Sequence, residues 1–171
     1  MTSNPHSWLL SDLDSIPKNG IKVMSTFACG GGSSMGYKRA GCEVIAANDI
    51  DPEMAWHYKL NIKPKHYFLC PIGDLLTKEL PPELFELDIL DGSPPCSTFS
   101  MAGSREKAWG KEKHFREGQA KQVLSDLFFD YLDLVERLKP KVAIAENVKG
   151  MLLGNAKGYT KMVMARLKEI G

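Results

Sequence analysis

Leu87-Asp88-Ile89-Leu90-Asp91-Gly92-Ser93-Pro94-Pro95-Cys96-Ser97-Thr98-Phe99-Ser100 is the stretch on which the reading of this chain turns. Leu87 to Leu90 is a short apolar run and reads as the end of a buried strand. Gly92 lets the backbone turn sharply as it leaves the sheet. Pro94 and Pro95 then fix φ and remove two donors, which sets the next residue on a stiff, non-helical support. That residue is Cys96, a thiol just past the carboxyl end of a strand, where open α/β sheets bind ligands. Taken alone, the same stretch is also a proline-braced turn around a small residue, so its neighbours must decide.

Outward from this stretch, strands and helices alternate. Ile21 to Phe27 is an apolar run that reads as a first strand, followed by Ala28-Cys29-Gly30-Gly31-Gly32-Ser33-Ser34. Ser33 or Ser34 is expected to cap a helix that runs to Ala40 and stops at Gly41. Cys42 to Ala47 is a second strand, ending at Asn48-Asp49-Ile50. Asp51-Pro52 is a cap followed by proline at the first helical position, and starts a helix through Leu60. His66 to Leu69 makes a third strand, leading into Gly73-Asp74-Leu75. Apolar residues from Gln119 to Leu138, Val123 and Leu124 among them, recur at helical spacing. Val142 to Ala145 reads as a fifth buried strand, and Gly158 to Ile170 as a last amphipathic helix. The alternation implies an α/β protein with a doubly wound, mainly parallel sheet. Residues 1–20 are a polar lead-in, with Trp8, Leu9 and Leu10 expected to pin it, and 21–171 form one domain.

At 171 residues the chain is long enough for one cored domain, and 43% apolar with 25% charged residues is ordinary for a soluble protein. The formal net charge of +1 means that affinity for an anionic partner must come from a local patch. Cys29, Cys42, Cys70 and Cys96 form no CxxC pair and no zinc-type spacing with the histidines, so no metal site is expected. Met1 to Ser15 lacks the basic and apolar regions of a signal peptide, and free thiols fit a reducing, cytoplasmic setting.

Several residues carry chemistry. The glycine turn sits where backbone approaches a ligand and helix amides favour an anion. It is neither a P-loop, since no Gly-Lys-Ser/Thr follows, nor a dinucleotide fingerprint, since Met35 stands at the third glycine. Asp49 lies at the distance from that turn at which a ribose diol is bound in such folds, and Asp74 is placed to accept from an adenine amine. Together with Phe27 they outline a pocket for an adenosine-containing molecule. Glu146 follows Ala143-Ile144-Ala145 at a strand mouth, where burial would raise its pKa and make it a proton donor beside the Cys96 thiol. His57, His66 and His114 show no spacing that pairs them with Cys96 as in a thiol protease. Ser104 to Gly118 is long and cationic on balance, with Trp109 and Phe115 interleaved, and reads as a lid and phosphate grip.

Together these stretches resemble the DNA cytosine-5 methyltransferases. Thr26-Phe27-Ala28-Cys29-Gly30-Gly31-Gly32 resembles the family's cofactor motif, and Asn48-Asp49 and Gly73-Asp74-Leu75 its second and third motifs. Gly92-Ser93-Pro94-Pro95-Cys96 with Thr98-Phe99-Ser100 resembles the nucleophile motif, and Glu146-Asn147-Val148 the glutamate motif. Ser97 departs from the glutamine many members carry. The resemblance implies a class I S-adenosylmethionine-dependent methyltransferase fold of Rossmann-like type, incomplete at its C-terminal side. It also implies S-adenosylmethionine held by Phe27, Ala28, Cys29, Gly30, Gly31, Gly32, Asp49, Ile50, Asp74, Leu75 and Pro94. Cys96 and Glu146 would be catalytic, with Cys96 adding to C6 of a flipped-out cytosine. Ser97, Ser100, Arg105, Lys107, Trp109, Lys111 and Asn147 would contact double-stranded DNA.

The family's arginine motif, target-recognition region and closing helix have no counterpart here. The resemblance therefore implies the N-terminal catalytic portion of a restriction-modification enzyme, bacterial or phage-type and nucleoid-associated, working with a C-terminal complement. A tRNA cytosine methyltransferase sharing the Pro-Pro-Cys and Glu-Asn-Val motifs, and a non-catalytic cofactor-binding remnant, are the alternatives.

Overall fold

A computed structural model describes residues 7–95, 112–113, 122–123, 127–153 and 156–171. Five parallel strands form the main sheet: β1 (Lys22–Thr26), β2 (Glu43–Asp49), β3 (His66–Leu69), β4 (Ile89–Gly92) and β7 (Val142–Ala145). Their order is β3-β2-β1-β4-β7, so the sheet is wound outward in both directions from β1. The winding reverses between β1 and β4, and a crevice opens there beyond the carboxyl ends of the strands.

Helices α1 (Gly32–Arg39) and α2 (Pro52–Asn61) share one face of the sheet. There Val23, Val44 and Ala47 pack with Tyr58 and Ile62. On the other face Met24, Ala46 and Leu90 meet α3 (Leu127–Leu138), which buries Phe128, Tyr131, Leu132, Val135 and Leu138. Helix α4 (Ala156–Ile170) adds Tyr159 and Val163 to this second core. Alternation along β2 explains the split, because Ala46 and Ala47 point to opposite faces.

Asp51 caps α2 as expected, accepting from the amides of Glu53 at 2.9 Å and Met54 at 3.2 Å. α1 differs. Its cap is Gly31, with φ of 88°, and no side chain accepts from the first turn. Neither Ser33 nor Ser34 caps it, since both lie inside the helix, where the Ser34 hydroxyl shares a 2.5 Å hydrogen bond with Tyr58. The lead-in is held partly as expected, since the Arg39 guanidinium of α1 lies over the Trp8 ring, 4.9 Å from its centre. Leu13 is fully buried, whereas Trp8, Leu9 and Leu10 stay exposed. Asp14 accepts from Lys38 at 3.1 Å and Lys63 at 2.7 Å, clasping the lead-in to α1 and to the end of α2.

Two further expectations need correction. The helix starting near Gln119 begins at Leu127; Gln122–Val123 (β6) instead pairs antiparallel with Glu112–Lys113 (β5). Val123 happens to continue the helical spacing, and periodicity cannot tell one turn of helix from two residues of hairpin. Leu124 lies outside the described residues. The second correction concerns β7, read as buried. It is the sheet's edge, and Val142 and Ile144 are 50% and 38% exposed. The amides of Val142 and Glu146 donate to Asp88 and Gly92 carbonyls at 2.8 and 3.0 Å. Residues 142, 144 and 146 therefore turn their backbone groups toward β4, and Ala143 and Ala145 turn theirs outward.

Candidate active site

Three strand ends and the root of the nucleophile arm meet at one end of the sheet. After β1 the backbone takes left-handed conformations at Phe27 (φ 52°) and Cys29 (φ 45°), and again at Gly31. Such conformations are strained for residues with a Cβ and persist where surroundings hold them. A methyl group on Gly31 would crowd Ile62 at 3.0 Å and Tyr58 at 3.1 Å, on a left-handed backbone that side chains rarely adopt. A methyl group on Gly30 or Gly32 would meet nothing within 4 Å. One glycine thus packs the turn onto α2, and the other two leave backbone accessible to a ligand.

Asp49 locks this turn to β2. One carboxylate oxygen accepts from the Cys29 amide at 2.7 Å, and the other from the amides of Ile50 and Asp51 at 2.8 and 2.9 Å. Four lone-pair sites against three donors leave room for one more hydroxyl. Asn48, buried beside it, donates to the carbonyls of Phe68 and Cys70 at 2.9 and 2.8 Å, which fixes the end of β3. Asp74 does not end β3. It stands exposed on a 3-10 turn, Ile72–Leu76, five residues beyond Leu69, where β3 ends. The same turn drives Leu75 wholly into the core, where Arg137 of α3 donates to its carbonyl. Leu75 therefore does not line the crevice.

The arm begins where β4 ends. Gly92 has no room for a side chain, since a Cβ would fall 2.6 Å from the Tyr131 ring and 2.7 Å from Thr26 Oγ1. Tyr131 OH sits 2.9 Å from the carbonyls of both Leu90 and Ile144, bridging β4 and β7. In register, Gly92 faces Ala145, so Glu146 emerges beside Ser93. Glu146 is exposed, and the described residues do not supply the burial expected around its carboxyl. Asn147, expected at the DNA, donates its amide to the Pro94 carbonyl at 3.0 Å and braces the arm. Pro94 itself is buried. Cys96, Ser97, Ser100, Arg105, Lys107, Trp109 and Lys111 lie outside the described residues. Among the described residues no group of histidines, cysteines and acids forms a metal site.

Sequence reasoning missed Asp91, Tyr37 and Tyr131. The available signal was Asp91 itself, an acid directly after an apolar run. It is 4% exposed, and burial pushes its carboxyl above the usual carboxylate range.

A family model described as C-5 cytosine-specific DNA methylase matches residues 21–171, which includes every element above. The chain belongs to that family. Among its curated relatives, the type II methyltransferase M.FnuDI of Fusobacterium nucleatum is 32% identical over 151 residues, spanning 88% of this chain and 39% of the relative. M.Sau96I of Staphylococcus aureus is 34% identical over 158 residues, spanning 91% of this chain and 34% of its own length. Among solved structures, a DNA modification methyltransferase encoded in an E. coli prophage shares the fold with a TM-score of 0.63 at 22% identity. That match covers 88% of this chain and 38% of the other. This methylase chain thus spans well under half the length of the relatives it matches. No helix of the described residues is long and apolar enough to cross a membrane.

Proposed function

We propose that this chain is the cofactor- and nucleophile-bearing part of a DNA cytosine-5 methyltransferase of restriction-modification type. One observation carries the reading: the open glycine turn, Asp49 and the root of the Pro-Pro-Cys arm converge at the strand-order switch, with Glu146 beside the arm. The turn suits S-adenosylmethionine, because Gly30 and Gly32 leave backbone open and Asp49 keeps capacity for a ribose hydroxyl. When bound, that molecule supplies an electrophilic methyl group.

The chain's own part is nucleophilic catalysis. The Cys96 thiolate adds to C6 of a cytosine turned out of the duplex, forming an S–C6 bond and moving the C5–C6 electron pair onto C5. Glu146 holds N3 and the exocyclic amine, steadying the charge that the ring gains. C5, now an enamine carbon, takes the methyl group. Loss of its proton and expulsion of Cys96 then release 5-methylcytosine. A thiol is required because free cytosine is a poor carbon nucleophile and the covalent adduct is a good one.

The exposed β7 supports a second part of the reading. A polypeptide carrying the target-recognition region covers the outer side of β7 and the groove of about 370 Å³ between β7, α3 and α4, lined by Ala143, Ala145, Val148, Met151 and Met164.

The decisive experiment presents DNA containing 5-fluorocytosine to the chain with such a complement and S-adenosylmethionine. Fluorine at C5 blocks the final proton loss, so a covalent adduct should accumulate. Cys96→Ser should form none while keeping cofactor affinity within about threefold, since an alcohol is barely ionised at neutral pH. A Cys96→Ser protein that still methylates at the parent rate would remove Cys96 from the mechanism.

A further inference from the structure

Asp91 is an acid at the centre of the sheet that the proposed chemistry does not use. Its side chain lies on the α1/α2 face, with one oxygen accepting from Ser25 Oγ and the other from Tyr37 OH, both at 3.2 Å. The groups acting on it are those two hydroxyls and a second acid, Glu146; none is a cation. A carboxyl buried without a cation depends on its hydrogen bonds to offset the cost of leaving water.

Its position shows what they hold. β4 ends at Gly92, and each of its last residues is tied to a different element. The Leu90 carbonyl meets Tyr131 of α3, the Asp91 carbonyl accepts from Thr26 Oγ1 of β1 at 3.0 Å, and the Gly92 carbonyl accepts from the Glu146 amide. The Asp91 side chain alone reaches α1, the helix that starts at the glycine turn. The cofactor turn and the root of the arm are thereby joined through Tyr37 and Asp91.

We propose that Asp91 is a positioning residue for Cys96: it fixes the direction in which β4 releases the Ser93-Pro94-Pro95-Cys96 arm by tying the arm's root to β1 through Ser25 and to α1 through Tyr37. The proposal rests on the reading of Cys96 as the nucleophile. Four residues of chain span at most about 13 Å, so a change of about 10° in direction at Gly92 can move the position four residues on by up to roughly 2 Å. Misplacement of about 1 Å is enough to lower a rate on the order of a hundredfold.

The test compares Asp91→Ala, Asp91→Asn and Tyr37→Phe in two measurements. With the complemented protein, the rate of trapping by 5-fluorocytosine DNA should fall about a hundredfold in Asp91→Ala and about tenfold in Tyr37→Phe. Affinity for S-adenosylhomocysteine should change less than about threefold in both. Asp91→Asn should recover to within about tenfold of the parent, because its amide accepts from one hydroxyl and donates to the other. In the free chain, amide exchange at Gly92 and Glu146 should quicken in Asp91→Ala and Tyr37→Phe while exchange at Ala47 stays as in the parent. Parent-like trapping in these variants, or equal losses of trapping and cofactor affinity, would overturn the positioning role. If the parent itself forms no adduct, the nucleophile reading fails, and exchange alone then decides whether Asp91 holds the root. Should Asp91→Ala fail to fold, Asp91→Asn and Tyr37→Phe still give both readings.

Discussion

Val44-Ile45-Ala46-Ala47 in β2 and Val142-Ala143-Ile144-Ala145 in β7 are built from the same four residues in different order, yet they meet opposite surroundings. In the strand order β2 lies between β3 and β1, whereas β7 lies at the end, beside β4. Val44 is 8% exposed and Ala46 and Ala47 are fully buried, whereas all four residues of β7 are exposed. β2 has α1 and α2 on one face, the α3 core on the other, and β3 along its outer edge. β7 has β4 on one side and open groove on the other. Four apolar residues in a row suit a strand covered on both faces and paired on both edges. Composition therefore reports the environment a strand is made for, and in β7 that environment is not completed by the described residues. Val148, Leu152, Leu153 and Met164 extend the same apolar exposure around it.

The most severe break of this comparison is a charge placed at matched positions. Ala47→Asp puts a carboxylate into the fully buried packing between β2 and α2, and should cost more than about 4 kcal/mol, enough to prevent folding. Ala145→Asp at the open strand should cost less than about 1 kcal/mol in the free chain, because its carboxylate stays solvated. Urea unfolding of the two proteins measures this directly. Similar losses in both would mean that β7 is as enclosed as β2.

These contrasts also show what could be read before the structure. Strand and helix types follow from local pattern, so β1, β3, β7 and α2 stand within a residue or two of expectation, and the Asp51-Pro52 start is set by its cap. Whether a strand is covered is a property of what lies beside it, and no period within Val142 to Ala145 carries that. The site divides along the same line. That Asp49 stands against the glycine turn was legible, because it closes a strand that follows that turn. Leu75 was misread because a 3-10 turn reverses which of two neighbours faces the core. Asn147's hold on Pro94 joins residues far apart in the chain, and short-range spacing cannot show it.

A smaller effect tests whether the cover over β2 is held by charge as well as by packing. Lys63 and Lys38 hold the Asp14 carboxyl down to about 2, below its ordinary 3.8. A carboxyl that titrates lower in the folded chain than in the unfolded one contributes stability above its unfolded pKa and loses it as pH falls toward the folded value. The contribution should thus be complete above about pH 4 and drain away between pH 4 and pH 2. Asp14→Asn should lack that part of the acid limb, and its difference from the parent should shrink as the pH approaches 2. Thermal melts at half-unit intervals would reveal it. A constant difference across that range would leave the fastening of the lead-in to the burial of Leu13, the Asn19 hydrogen bonds to Ala40 and Gly41, and Trp8 under Arg39.

The smallest expected change in stability is the most informative about β7. Ile144→Thr keeps a β-branched side chain, and with it the strand preference, but replaces an exposed ethyl group by a hydroxyl. Since Ile144 already meets solvent, the free chain should lose no more than about 0.5 kcal/mol. Association is another matter. A parallel edge that no described residue pairs, with outward N–H and C=O groups at Ala143 and Ala145 and apolar side chains beside it, is a template for another polypeptide. The parent should therefore self-associate as its concentration rises, and Ile144→Thr should do so less and bind a complement more weakly. The same exchange at Ile45 of β2 should leave association unchanged, because that side chain is already packed against the α3 core. Sedimentation velocity over a hundredfold range of concentration separates the two. If Ile144→Thr associates as strongly as the parent, the apolar side chains of β7 are not what another polypeptide would bind. The groove between α3 and α4, with Met164 at its rim, would then be the surface to alter next.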